Sequence, residues 1–118
     1  MKYFICTTVP HFNQRYETCG DYIDRGRMVQ FRISKTEEDY ESLVFLHEFI
    51  EYTLAVKRGI DLKSIDKFDM QYTGKGEPGD SPDSPYRKEH QFAEKLEKEF
   101  AKELGVDWEK YCKVIDAL

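Results

Sequence analysis

The chain reads as an α+β fold: a small N-terminal antiparallel sheet followed by two long packed helices and a short C-terminal helix. Three observations lead there. The segments that read as strands all lie before Lys35. Apolar repeats at helical spacing occupy the part after it. Strands grouped before helices, rather than alternating with them, favour α+β over a doubly wound sheet. At 118 residues, residues 1–118 make one domain of ordinary size, able to bury a single core.

Each element has its own signal. Residues 2–8 are aromatic and branched and read as a strand, and residues 16–23 as a weaker one. Asp24-Arg25-Gly26-Arg27 carries the Asp and Gly of a turn. From Met28 to Ser34 the chain alternates, with Val29, Phe31 and Ile33 on one side and Gln30, Arg32 and Ser34 on the other. That is a half-buried strand, hairpin-paired with the segment before it. Ser34 and Glu37 fit the N-cap and N3 positions of a capping box, and Glu38 and Asp39 suit the first turn of a helix. The first long helix, about 34–58 from its start and stop signals, closes on Lys57 and Arg58 with Gly59 at C′. Asp61 caps a short helix carrying Ile65, Phe68 and Asp69. Residues 73–85 are rich in Gly, Pro, Ser and Asp and form a loop, long enough to be functional or mobile rather than filler. Ser84 and Pro85 open the second long helix, about 85–104, as N-cap and N1. Its stripe is Tyr86, His90, Ala93, Leu96, Phe100 and Leu104, and Gly105 ends it. Asp107 caps a last short helix with Trp108, Tyr111, Cys112 and Ile115.

Composition excludes some function classes. The net charge of −5 argues against non-specific nucleic-acid binding, which needs a basic surface. No segment approaches the roughly 18 consecutive apolar residues of a membrane span. The basic-then-apolar start, Met1 to Cys6, breaks at Pro10-His11 with no cleavage-site pattern and is not read as a signal peptide. Cys6, Cys19 and Cys112 contain no CxxC pair, so a reduced, cytoplasmic chain is expected.

Chemistry concentrates on the first long helix. His47 sits in Leu46-His47-Glu48-Phe49-Ile50-Glu51-Tyr52. His47 and Glu51 are i and i+4 on a face otherwise made by Tyr40, Leu43, Val44, Ile50 and Leu54, one turn apart. Burying an imidazole beside a carboxylate is costly unless something satisfies both. A metal ion does so. His90, on the stripe of the second long helix, converges with them if the stripes pack. Two imidazoles and one carboxylate are a catalytic zinc set with a fourth position open to water. Zinc makes water a nucleophile near neutral pH, and Glu48, about 100° around the helix from His47, can take its proton. The bland readings are a hydrogen-bonded core histidine on each stripe and a solvated Glu51 reaching toward Arg58. Glu94, one turn before Lys98, reads as an exposed ion-pairing residue. Asp66 and Asp69 read as capping or solvation, with Asp69 also a candidate partner or substitute ligand. His11 receives no role.

The stretch from about Tyr16 to Leu104 resembles the compact zincin-like metallopeptidase domains of phages and bacteria. The matching pattern is Cys19-Gly20-Asp21-Tyr22, then Val29-Gln30-Phe31-Arg32-Ile33-Ser34, then Leu46-His47-Glu48. In that family a strand preceding the metal-binding helix edges the substrate cleft. The resemblance implies that His47 is the first zinc ligand and Glu48 the general base. Glu51 falls where the family has its second His, giving HExxE in place of HExxH. Glu89-His90-Gln91-Phe92-Ala93 resembles the downstream helix that supplies a third ligand. The expected function is zinc-dependent hydrolysis of a peptide or amide bond in a peptide or protein substrate. Two alternatives stand beside it. One is a non-catalytic metal-binding or regulatory domain. The other is a phosphohydrolase using Glu48, Glu51 and Asp69 around magnesium or manganese.

Overall fold

The computed structural model describes residues 2–118. Its elements are β1 (Tyr3–Val9), β2 (Gly20–Asp24), β3 (Met28–Ser34), α1 (Glu38–Lys57), α2 (Leu62–Gln71), α3 (Arg87–Leu104) and α4 (Trp108–Asp116), with single 3-10 turns at His11–Asn13 and Pro78–Asp80. A three-stranded sheet followed by helices is the α+β arrangement expected. Among the described residues, no helix is long and apolar enough to cross a membrane.

The sheet is mixed rather than antiparallel. Its order is β1-β3-β2. β2 and β3 form the expected hairpin, with Tyr22 opposite Phe31, whereas β1 lies parallel to β3, Tyr3 opposite Met28 through Val9 opposite Ser34. The chain must therefore cross the end of β3 between β1 and β2. Side chains hold that crossing. Gln14 donates to the carbonyls of Cys19 and Arg32, and Arg32 donates to the carbonyl of Asn13 at 2.6 Å. Arg15 grips Asp21 with two bonds of 2.7 and 2.8 Å and reaches Asp66 on α2.

β3 is the central strand, and its alternation decides the layering. Val29, Phe31 and Ile33 are fully buried, all on the side that receives α1. Phe31 meets Phe45, Phe49 and Tyr52 at ring-centroid distances of 5.4, 5.8 and 5.7 Å. α3 packs on the other side of α1, so α1 is a middle layer with apolar residues on several faces, as a buried helix requires. Leu43 and Val44 join Ala101 of α3 and Tyr111 of α4 in one cluster, while Ala55, Ile65 and Tyr86 tie α1 to α2 and to the start of α3 in another.

Two helix starts differ from the sequence reading. Ser34 is not an N-cap. It is the last residue of β3, and its hydroxyl lies 2.9 Å from His11 Nδ1 and 3.1 Å from Gln14 Nε2. With that hydroxyl committed, α1 begins at Glu38 and Glu37 stands at N-cap with no side-chain bond. Glu41 instead reaches back to accept from the Thr36 N–H. α3 begins at Arg87 rather than at Pro85. Ser84 accepts from the Tyr86 N–H and thus shapes the turn before the helix. The caps at Asp61 and Asp107 form as expected, and Gly105 ends α3 in the left-handed region with φ 73°.

The contact that seats α1 on the sheet is at Gly20. A Cβ there would lie 2.7 Å from both Glu48 Cγ and Val44 Cγ1. Val44 is β-branched and buried, so it has little room to yield. Gly20→Ala is expected to cost about 1–3 kcal/mol by overpacking, read as a lower urea midpoint with an unchanged slope. A midpoint equal to that of wild type would show that the strand and helix separate freely here.

Candidate metal centre

α1 and α3 bring the three sequence-selected residues together. His47, Glu51 and His90 are each at most 8% exposed. Glu51 Oε2 lies 2.5 Å from His47 Nε2 and 2.6 Å from His90 Nδ1. The two nitrogens are 3.1 Å apart and face the same oxygen. Arg58, the alternative partner of Glu51, is taken by Glu89 at 2.6 Å. His47, Glu51 and His90 thus offer one ligand atom each around a common point, a grouping able to hold a metal ion.

Behind His47 stands a residue the sequence reading missed. His47 Nδ1 donates to Glu97 Oε1 at 2.6 Å, and Tyr111 of α4 donates to Glu97 Oε2 at 2.5 Å. Glu97 is 7% exposed. Its signal was present in the spacing, since it lies seven residues, or two turns, beyond His90. A stripe defined by apolar residues passes over it. The buried line of α3 is His90, Ala93, Glu97 and Ala101, with Leu96, Phe100 and Leu104 half-buried beside it.

Ionisation in the cluster follows from competing causes. Burial alone would lower both histidines, but Glu51 and Glu97 outweigh it at His47, which is raised well above its ordinary value. The bond to Glu51 and the nearby carboxylate of Glu77 likewise raise His90 to about 10. Burial pushes Glu51 up, yet the two imidazoles win and hold it at about 2. These shifts favour protonated imidazoles facing an ionised Glu51 in the ion-free protein.

Glu48 occupies a different environment on the same helix. It is half-buried, lies against Gly20 of β2, and its carboxylate has no hydrogen-bond partner among the described residues. Burial first, then the charge of Glu51, raises it well above the ordinary carboxylate value. It opens on a cavity of about 720 Å³ that also reaches His47, Glu51 and His90. Eleven carboxylate residues and no lysine or arginine line this cavity, so it attracts cations and repels anions.

The remaining candidates settle as follows. Asp66 pairs with Arg15. Glu94 is half-buried in the cavity wall and, among the described residues, makes no ion pair with Lys98, which lies over the Trp108 ring. His11 bridges Ser34 and Glu17. Asp69 accepts from Tyr86 at 2.7 Å and Tyr16 at 3.2 Å. The two phenols leave it anchored to α3 and to the β1–β2 crossing rather than to the His–Glu–His centre.

Asp69 gives a testable pH dependence. Burial raises it to about 6 despite both phenol bonds. A carboxyl raised by folding stabilises the fold below its unfolded value of 3.8 and loses that contribution as pH rises through about 6. Asp69→Asn should flatten urea stability between pH 4 and 7 by about 1–2 kcal/mol, discounted for partial exposure. A profile parallel to that of wild type would remove Asp69 as the source.

Comparison with known proteins returns no matching family model, curated protein or solved structure.

Proposed function

We propose that the protein is a zinc-dependent hydrolase of the zincin type, cleaving a peptide or similar amide bond. One observation carries this reading: both nitrogens of His47 are assigned. Nε2 faces Glu51 and His90, and Nδ1 is fixed by Glu97, itself held by Tyr111. Metal-ligating histidines characteristically donate their second ring N–H to a carboxylate, which sets tautomer and orientation. A neutral core histidine would satisfy its ring with one acceptor and one donor, whereas here both nitrogens face carboxylates and Nε2 also faces a second imidazole. His47 Nε2, Glu51 and His90 Nδ1 would hold the ion, replacing the HExxH set with two imidazoles and a carboxylate. Bound zinc supplies Lewis acidity and a water activated near neutral pH.

The protein's own groups have distinct parts. Glu48, unpartnered and beside the centre, accepts the proton of the attacking water and passes it to the leaving amine. β2 is an edge strand, so an extended substrate can pair with its outer backbone groups. The carboxylate-lined cavity favours a cationic side chain on that substrate. The same lining speaks against the phosphohydrolase alternative, whose substrate is an anion. Asp69, tied to two phenols, is also a poor third ligand for it.

The test begins with elemental analysis of protein purified without added metal or a His tag, followed by screening of cationic peptide libraries. Glu48→Gln should keep its zinc and lose about 10²–10⁴-fold in turnover. Equal turnover at equal zinc content would exclude Glu48 as the base. Wild-type protein that holds zinc but cleaves nothing would favour the non-catalytic domain. His47→Gln, checked for folding by circular dichroism, should lose the central ion. Unchanged zinc content there would make His47 a core residue.

Glu97 tests the supporting shell separately. Glu97→Gln should weaken zinc binding by about 10–100-fold, measured by competition with a chromophoric chelator. An unchanged affinity would detach Glu97 from the metal and leave it a structural partner of Tyr111.

A further inference from the structure

His90 has a second ring nitrogen that the centre does not use. Nδ1 faces Glu51. Nε2 is buried and has no aligned hydrogen-bond partner, within a residue only 4% exposed. Glu77 Oε2 is 2.9 Å from it, close but off the N–H direction. Asp80 Oδ1 is 3.5 Å away. A supporting carboxylate would lie along the N–H bond, as Glu97 does for His47. Leaving such a nitrogen unsatisfied is costly, whereas an ion on the ring axis would use its lone pair and both neighbouring carboxylates.

The loop over residues 73–85 is built to deliver those carboxylates. Its 3-10 turn, Pro78–Asp80, comes directly against the His90 side chain. A Cβ at Gly79 would come within 2.4 Å of His90 Cγ and 2.5 Å of Nδ1. Only glycine allows that approach, and it places Glu77 and Asp80 on either side of the residue that touches the ring. The ligand atoms of Glu77, Asp80 and His90 lie within 4.8 Å of one another.

We propose, resting on the preceding reading for the inner ion, that His90 Nε2, Glu77 and Asp80 form a second divalent-cation site sharing His90 with the first. One nitrogen and two carboxylates suit manganese or zinc. The Glu77 and Asp80 side chains are 54% and 47% exposed, so water completes this outer shell and the ion there exchanges more readily than the inner one. Serving both ions through its two nitrogens would require His90 to give up its ring proton to solvent. The outer ion fixes the 73–85 loop to α3 and neutralises two carboxylates at the cavity mouth.

The test is titration of the whole, metal-stripped chain with Zn²⁺ and, separately, Mn²⁺, counting bound ions by elemental analysis and calorimetry. Wild type should bind two equivalents of Zn²⁺, one tighter than the other. The double variant Glu77→Gln/Asp80→Asn should keep the tight equivalent and lose at least about tenfold in affinity for the weak one. Both substitutions are at exposed positions and leave the core unaltered, so folding is not at risk. His47→Gln should do the reverse, losing the tight equivalent. A single equivalent in wild type, weakened by the double variant, would make Glu77 merely a hydrogen-bond acceptor for His90 and overturn the outer site. A double variant with wild-type stoichiometry and affinities would overturn it too. Both results leave the inner site standing. Absence of any bound ion from wild type would instead fail the inner reading, and the outer one with it.

Discussion

The carboxylate of Glu51 is the constraint on which the arrangement of the helices depends. It lies in the middle layer, between His47 of its own helix and His90 of the neighbouring one. Ions removed from water cost several kcal/mol each unless geometry and hydrogen bonding compensate them. Glu51 can therefore be buried only where both imidazoles arrive together, which requires α1 and α3 to meet in one register. The small residues follow from this. Ala93 and Ala101, fully or nearly fully buried on α3, let the helices come close on either side of Glu97. Tyr111 extends the same chain of bonds to α4. Polar registration at the centre and apolar packing around it thus specify the same docking.

Such a network can be read as structure or as chemistry, and the distribution of its charges bears on the choice. A cluster built only for stability would pair equal numbers of opposite charges, or replace the group by apolar residues of similar volume, which often stabilises. Here two imidazoles are set against Glu51 and Glu97, with Glu77 close by and Glu48 left unpaired. The excess is negative and faces a cavity. In the absence of an ion, protons raised onto His47 and His90 offset part of it. A divalent cation offsets it more completely, and the protons it displaces are those the carboxylates hold in place.

The α+β order, the β2–β3 hairpin and the caps at Asp61 and Asp107 were legible because each rests on local spacing. The convergence of His47, Glu51 and His90 was legible because two apolar stripes must face each other to be buried. The parallel pairing of β1 was not. Alternation identifies a strand's faces but not its partner, and β1 is mostly exposed and lacks a clear inward side. The crossing that makes it parallel is held by Gln14, Arg15 and Arg32, polar side chains of a kind common on any surface. Ser34 misled for a related reason. The same Ser-x-x-Glu pattern is consistent with a helix start, yet the strand before it extended by pairing with Val9 and consumed the hydroxyl. Glu97 was hidden by the rule that charged residues on a helix face water. That rule fails where a buried imidazole needs an acceptor.

The 73–85 loop shows how far composition can carry such a reading. Gly, Pro and Asp marked it as irregular, and its length marked it as more than a connector. Nothing in the sequence said what it touches. The answer lies in steric fit: Gly79 has no side chain, so the turn can rest against the His90 side chain. Tyr86, at the loop's end, donates to Asp69 and packs beside Ile65 and Ala55, which anchors the loop's exit to α2 and α1. Its entry, after Tyr72, is held more lightly, by the Tyr72 hydroxyl on the Lys75 carbonyl. The segment is thus held more firmly where it leaves than where it begins. Glu77 and Asp80 lie between those ends, over His90. A loop so placed can respond to charge at the imidazole while α1 and α3 stay docked through Glu51–His90, His47–Glu97 and the packing of Leu43 and Val44 on Ala101.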